Sequence, residues 1–129
     1  MVDYQSLVGL PWEYGKQDCY TVVRQYFALQ GVTLPDFDRP DELDLSPSIY
    51  LREAVALGFK QVSFVERRPC DVLIMRLGTL HPMHAAVLVD YDRILHQFND
   101  TPSAVEDLRS YYVRSIAAVF RYAAGPAAG

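Results

Sequence analysis

An α+β fold, with N-terminal helices packed on an antiparallel sheet of about five strands, is what this sequence predicts, on three observations. Helical periodicity belongs to the first half of the chain, where Cys19, Val22, Val23, Tyr26 and Phe27 recur at steps of three and four. From Phe59 onward the pattern changes to short alternating or continuous apolar runs bounded by turn residues. Those runs follow one another as a meander, so the order is helices first and strands after.

Size and composition bound the rest. The 129 residues suit one domain, taken as 1–122, followed by a small-residue tail from Ala123 to Gly129 that is expected to be flexible. Half the residues are apolar and 22% are charged, as in ordinary globular proteins. A net charge of −4 argues against a nucleic-acid partner or a basic membrane-surface patch. No apolar run approaches the ~20 residues that span a bilayer, so no membrane insertion is expected. The start Met1-Val-Asp-Tyr-Gln-Ser6 has neither the basic nor the apolar region of a signal peptide, which predicts synthesis in a cytosol without export by that route. Cys19 and Cys70 lie 51 residues apart and outside any C-x-x-C pair, so reduced thiols are expected rather than a zinc ribbon or a redox motif.

Each element has its own signal. Residues 1–8 read as a lead-in segment or helical turn, and Gly9 to Gly15 as a turn-rich loop that sets Trp12 and Tyr14 close to Cys19. Asp18 is a plausible N-cap for the helix that begins at Cys19, and Gly31 its stop. The acidic, proline-punctuated stretch 32–46 reads as a surface loop. A second helix fits about 47–57, with Ser46 as N-cap, Pro47 first, Gly58 as stop, and Ile49, Val55 and Leu57 packing. Val62 and Phe64 alternate as a half-buried strand, Asp71–Leu77 is a buried strand, Gly78–Pro82 a turn, and His84–Val89 and Arg93–Phe98 a hairpin about Asp90-Tyr91-Asp92. Ser103-Ala-Val-Glu106 has capping-box form and predicts a short helix. Ile116, Ala118, Phe120 and Tyr122 alternate as a closing strand.

Two of the three histidines flank the hairpin, and the chemistry converges there. A thiol at a helix N-terminus meets backbone N–H groups and the positive end of the macrodipole, both of which favour thiolate. The same placement also fits an inert buried cysteine. If the hairpin is centred on Asp90, His84 faces His96 across the ladder; a slip of one residue sets Gln97 there instead. Thiol, imidazole and a second polar side chain make up the nucleophile, base and orienter of cysteine hydrolases. A purely structural role for the histidines and a zinc set of Cys19, His84 and His96 stand as alternatives, the latter without short ligand spacing to support it. His81 is expected at the rim.

The Gly-x-Pro-aromatic loop from Gly9 to Trp12, Gly15, Asp18-Cys19, Asp71-Val-Leu-Ile-Met75, His84-Ala-Ala-Val87 and Ile94-Leu-His96 together resemble the NlpC-type cell-wall peptidase family, in order over about residues 7–122. Asp18-Cys-Tyr-Thr21 with Arg24 and Tyr26, Leu34-Pro-Asp-Phe37 and Arg39-Pro-Asp41 are similar to the peptidase domain of phage tail-tip assembly proteins of the lambda K type. The resemblance implies a papain-like fold, with Cys19 as nucleophile, His84 as general base and acid, and His96 as orienter. The implied reaction is hydrolysis of amide bonds in peptidoglycan stem peptides, without a cofactor or metal, with an oxyanion held at the Cys19 backbone N–H. Trp12, Tyr14, Asp18, Tyr20 and Gln97 are the implied neighbours of that cleft. Implied partners are peptidoglycan and other tail-tip or hub proteins, in a virion made in the host cytoplasm and acting at the periplasm or cell wall during genome ejection. A non-hydrolytic structural or assembly role in the tail tip is the alternative, and an amidase or acyltransferase on the same fold a third reading. The chain departs from the common pattern at Tyr20-Thr21, where many members have Ser-Gly, at Trp12, often tyrosine, and at Cys70, often glycine and here expected to be a small buried filler.

Overall fold

Asp18 sets where the first helix begins. Its backbone is extended (φ −135°, ψ −170°), and its carboxylate accepts from the Thr21 backbone N–H at 3.0 Å and the Thr21 hydroxyl at 2.9 Å. Helix α1 therefore runs Cys19–Ala28 with Cys19 as its first residue. The stripe anticipated from periodicity is the buried one, since Cys19, Val22, Val23, Tyr26 and Phe27 all lie inside. Past the helix end Gly31 takes φ +80°, and the Val32 N–H returns to the Phe27 carbonyl.

The computed structural model describes residues 2–36, 51, 53–78 and 82–123. Most of the expected second helix, the acidic loop beyond residue 36, His81 and nearly all of the C-terminal tail lie outside them. Leu51 and Glu53 are helical, and Gly58, at φ +95°, follows that segment into the sheet. Val55 differs from expectation: it is 74% exposed, whereas Leu57 leans on the core.

Among the described residues the sheet has six strands where about five are expected. They are β1 (Phe59–Val62), β2 (Val72–Met75), β3 (His84–Leu88), β4 (Arg93–His96), β5 (Ala104–Asp107) and β6 (Ile116–Tyr122), in spatial order β1-β6-β2-β3-β4-β5 with every pairing antiparallel. The additional strand is β5, which replaces the helix expected from Ser103 to Glu106. Ser103 caps nothing there. Its hydroxyl donates to the Leu7 carbonyl at 2.5 Å and accepts from the Leu10 N–H at 2.9 Å, while Leu95 and His96 of β4 take Val105 and Ala104 as ladder partners. An open strand edge with unpaired backbone groups outcompetes a single local helical turn. Phe64 also departs from expectation: β1 ends at Val62, and Phe64–Glu66 forms a 3-10 turn. A short helix α2 (Ser110–Ser115), not anticipated, leads directly into β6.

Strand alternation gives the sheet two apolar faces. Helix α1 covers one, meeting Val72, Ile74, Ala85, Val87, Leu95, Ala118 and Phe120. The other gathers Leu73, Met75, Ala86, Leu88, Ile94 and Val119 beneath Tyr112 of α2. At one end of the sheet, buried Asp71 takes two bonds from the Arg121 guanidinium at 2.8 and 2.9 Å, which satisfies a carboxylate that is 1% exposed. No helix among the described residues is long and apolar enough to cross a membrane.

Candidate active site

Helix α1 packs across β3 and β4, which brings its first residue to the beginning of β3. Cys19 is 9% exposed, and its sulfur lies 4.0 Å from the carbonyl oxygen of Met83, one residue before His84. Neither cysteine is in a disulfide. As first helical residue, Cys19 sits at the positive end of the macrodipole.

The hairpin register differs from both alignments anticipated. Ala86 pairs with His96, Val87 with Leu95 and Leu88 with Ile94, so continuing that register sets position 98 opposite His84. The Phe98 ring stacks on the His84 ring at 4.7 Å and 15°. His96 is then the diagonal neighbour on the same face, which long flat rings can still reach. The His84 Nε2 and His96 Nδ1 atoms are 2.8 Å apart. Gln97 does not orient His84. Its amide donates to the Leu10 carbonyl at 2.7 Å and the Thr101 carbonyl at 3.1 Å, and its oxygen accepts from Gln17 at 3.1 Å, so it clamps the loop before α1.

Strand β5 adds what the sequence reading missed. Glu106 pairs with Ile94 in register and shares the face of the histidines, and its Oε2 lies 2.5 Å from His96 Nε2. Tyr112 donates its hydroxyl to the same oxygen at 3.1 Å, Arg109 donates to that hydroxyl at 3.3 Å, and the Arg109 guanidinium stands 3.8 Å from Glu106 Oε1. Partial burial works against ionisation of Glu106, yet the bonds from His96 and Tyr112 and the charge of Arg109 hold it below the ordinary glutamate value. Burial pushes His84 down to about 3, with the neighbouring His96 ring adding to the effect. Burial also lowers His96, against the opposing pull of Glu106.

These bonds determine where the protons sit. An ionised carboxylate only accepts, so His96 carries its proton on Nε2. In the neutral ring Nδ1 then has the lone pair, and it accepts from Nε2–H of His84. His84 is left with a bare Nδ1, which is the form a base requires. Both nitrogens of His96 are engaged in these bonds, which speaks against His96 as a zinc ligand.

The remaining neighbours are placed as follows. Asp18 is 3% exposed and, beside capping α1, accepts from the Gly15 N–H at 3.0 Å, so its carboxylate organises the turn before Cys19. Tyr20 points away from solvent, and its hydroxyl donates to the Pro35 carbonyl at 2.7 Å. Trp12 and Tyr14 lean on one another at 6.3 Å, and the buried Trp12 Nε1 has no hydrogen-bond partner among the described residues. Cys70 stands apart from the histidines, at φ +78°, with its sulfur 3.4 Å from Gln30 Oε1 and 3.9 Å from the Tyr26 hydroxyl.

Residues 9–121 match the NlpC/P60 family. Tail tip assembly protein K of Escherichia phage lambda is 32% identical over 119 residues, which are 92% of this chain and 60% of that protein. The chain thus spans under two thirds of the length of that curated relative. Among solved structures, an NLP/P60-family protein of Staphylococcus aureus described as similar to a lipoprotein superposes with a TM-score of 0.65 at 18% identity, over 93% of this chain and 39% of that one. At that identity the likeness speaks for the fold, an α1 helix against a six-stranded antiparallel sheet. Matched from Gly9 to Arg121, this chain belongs to the NlpC/P60 family.

Proposed function

We propose that this protein is a cysteine peptidase of a phage tail tip, cleaving amide bonds in peptidoglycan stem peptides during genome ejection. The observation that carries the reading is a helix-start thiol 4.0 Å from the carbonyl of Met83, the residue before His84, together with a buried His84–His96 pair bonded at 2.8 Å. In the mechanism, His84 Nδ1 takes the Cys19 proton and the thiolate sulfur attacks the scissile carbonyl carbon. The oxyanion is held by the Cys19 backbone N–H at the head of α1. His84 returns the proton to the departing amine nitrogen as the C–N bond breaks, leaving a thioester. His84 then deprotonates a water that attacks this thioester, and the acid and the Cys19 thiol are released. His96 keeps the imidazole in place throughout. The setting comes from the lambda relative, whose name is for tail tip assembly.

Cys19→Ala tests this directly. Release of peptide fragments from purified peptidoglycan is expected to fall by at least about a thousandfold with the fold intact. Undiminished release by the variant would sink the cysteine mechanism. The assembly name of the relative favours a second reading, a tail component without hydrolysis. That reading gains if wild type and variant both release nothing while particles made without the protein fail to assemble.

A further inference from the structure

Glu106 is a charged group that a thiol and two imidazoles do not account for. It lies on β5, outside the hairpin, and meets His96 Nε2 at 2.5 Å. The oxygen that makes this bond also accepts from Tyr112, and Arg109 approaches the other. His96 is 2% exposed, so this contact reaches well inside the molecule although Glu106 itself is 35% exposed at the side chain. Two buried neutral rings form a poor base by themselves, since burial opposes charge on either one and each ring disfavours charge on the other. A carboxylate at the far end of the line is the group of opposite sign that offsets this.

We propose that Glu106 is a positioning residue of this site, acting through His96 to hold His84 in the tautomer with a bare Nδ1 and to stabilise the imidazolium formed when His84 takes the Cys19 proton. This rests on the reading of Cys19 and His84 as the reacting pair. Among the described residues, the charged and titratable groups facing Glu106 are His96 on β4, with His84 behind it on β3, and Tyr112 and Arg109 from α2 and its N-terminal edge. Directly across the ladder stands the apolar Ile94. Arg93 and Asp107, the next ladder pair, fall on the other side of the strands by alternation.

Glu106→Gln keeps the shape and removes the charge. If the new amide accepts from His96, the tautomer survives, but protonation of His84 loses its counter-charge. If the amide donates instead, His96 must accept at Nε2 and donate from Nδ1. His84 then accepts at Nε2, and its own proton moves to Nδ1, the nitrogen that has to receive the thiol proton. Either outcome disfavours the thiolate.

The readout is the pH profile of Cys19 alkylation by iodoacetamide, followed by peptide mapping of the full chain, with Cys70 as internal reference. In wild type, Cys19 is expected to react well below the pH at which an ordinary thiol does, near 8.5. In Glu106→Gln its rate at pH 7 is expected to fall by about 10- to 100-fold and its rise to move to higher pH. Glu106→Asp, which keeps the charge, recovers part of the rate. Tyr112→Phe, which only loosens Glu106, gives a smaller loss. A Glu106→Gln profile that overlays an activated wild-type profile overturns the Glu106 role and leaves the reacting pair standing. A change in urea midpoint with no change in profile also overturns it, by showing a merely structural contact. A wild-type Cys19 profile no different from that of Cys70 overturns the reacting pair, and the Glu106 role with it.

Discussion

Cys19 and Cys70 share a side chain and differ in every surrounding that governs thiol chemistry. Cys19 heads a helix, where the macrodipole favours the thiolate. Cys70 sits in a turn at φ +78°, and burial pushes its thiol pKa up, with the adjacent Asp71 charge adding to it against the hydrogen bonds of Tyr26 and Gln30. Cys19 is therefore expected to be alkylated about tenfold faster than Cys70 at pH 7, as read by peptide mapping. Equal rates, or labelling mainly at Cys70, would count against an activated Cys19. The left-handed backbone at Cys70 is one that glycine would adopt without strain, since a Cβ at positive φ costs about 1–2 kcal/mol. Around His84 the deciding neighbour is Phe98, whose ring at 4.7 Å closes one side of the imidazole and leaves its two nitrogens for hydrogen bonding.

At the scale of elements, the start of α1 is the one the site depends on. Asp18 accepts from the Gly15 N–H, the Thr21 N–H and the Thr21 hydroxyl, which joins the preceding turn to the helix. Asp18→Ala is expected to cost about 1–2 kcal/mol in urea denaturation and to slow Cys19 alkylation, because the first turn of the helix loosens. An unchanged midpoint would mean the turn is held without its cap. This element was legible in the sequence because a cap and an apolar stripe are local signals. Strand β5 was not. Ser103-Ala-Val-Glu106 reads as a capping box, and nothing within those four residues says that β4 offers an open edge or that Leu7 and Leu10 await the Ser103 hydroxyl. The hairpin register was equally out of reach: the hairpin is centred on Tyr91 rather than Asp90, which shifts the pairing by two residues and keeps His84 and His96 on one face, and nothing local to the turn distinguishes the two. As part of β5 rather than of a helix, Glu106 comes to lie against His96, which four residues of capping-box form do not disclose.

At the scale of the whole molecule, two buried histidines make stability depend on pH. The unfolded chain protonates His84 near 6.5, whereas the folded chain holds it neutral down to about 3. Between those values the unfolded state binds more protons, so stability is present in full above about pH 6.5 and declines as pH falls toward 3. The slope from one such group is at most about 1.4 kcal/mol per pH unit. His96, also lowered by burial, acts in the same direction. Urea midpoints measured from pH 7 to pH 4.5 are expected to decrease, and His84→Gln to flatten the decline; a flat wild-type series would show that the folded protein accepts the protons. By itself the sequence determined the α+β class, the buried stripe of α1, the helix start at Cys19 and the presence of two histidines on one hairpin, because each is written in short-range periodicity, capping and turn chemistry. Only the tertiary structure decided the diagonal contact of His84 with His96, the conversion of Ser103–Glu106 surroundings into an edge strand, and the arrival of Glu106 and Tyr112 behind the pair. Those depend on ladder register and on an open strand edge, and both are settled by groups that meet only after the chain has folded.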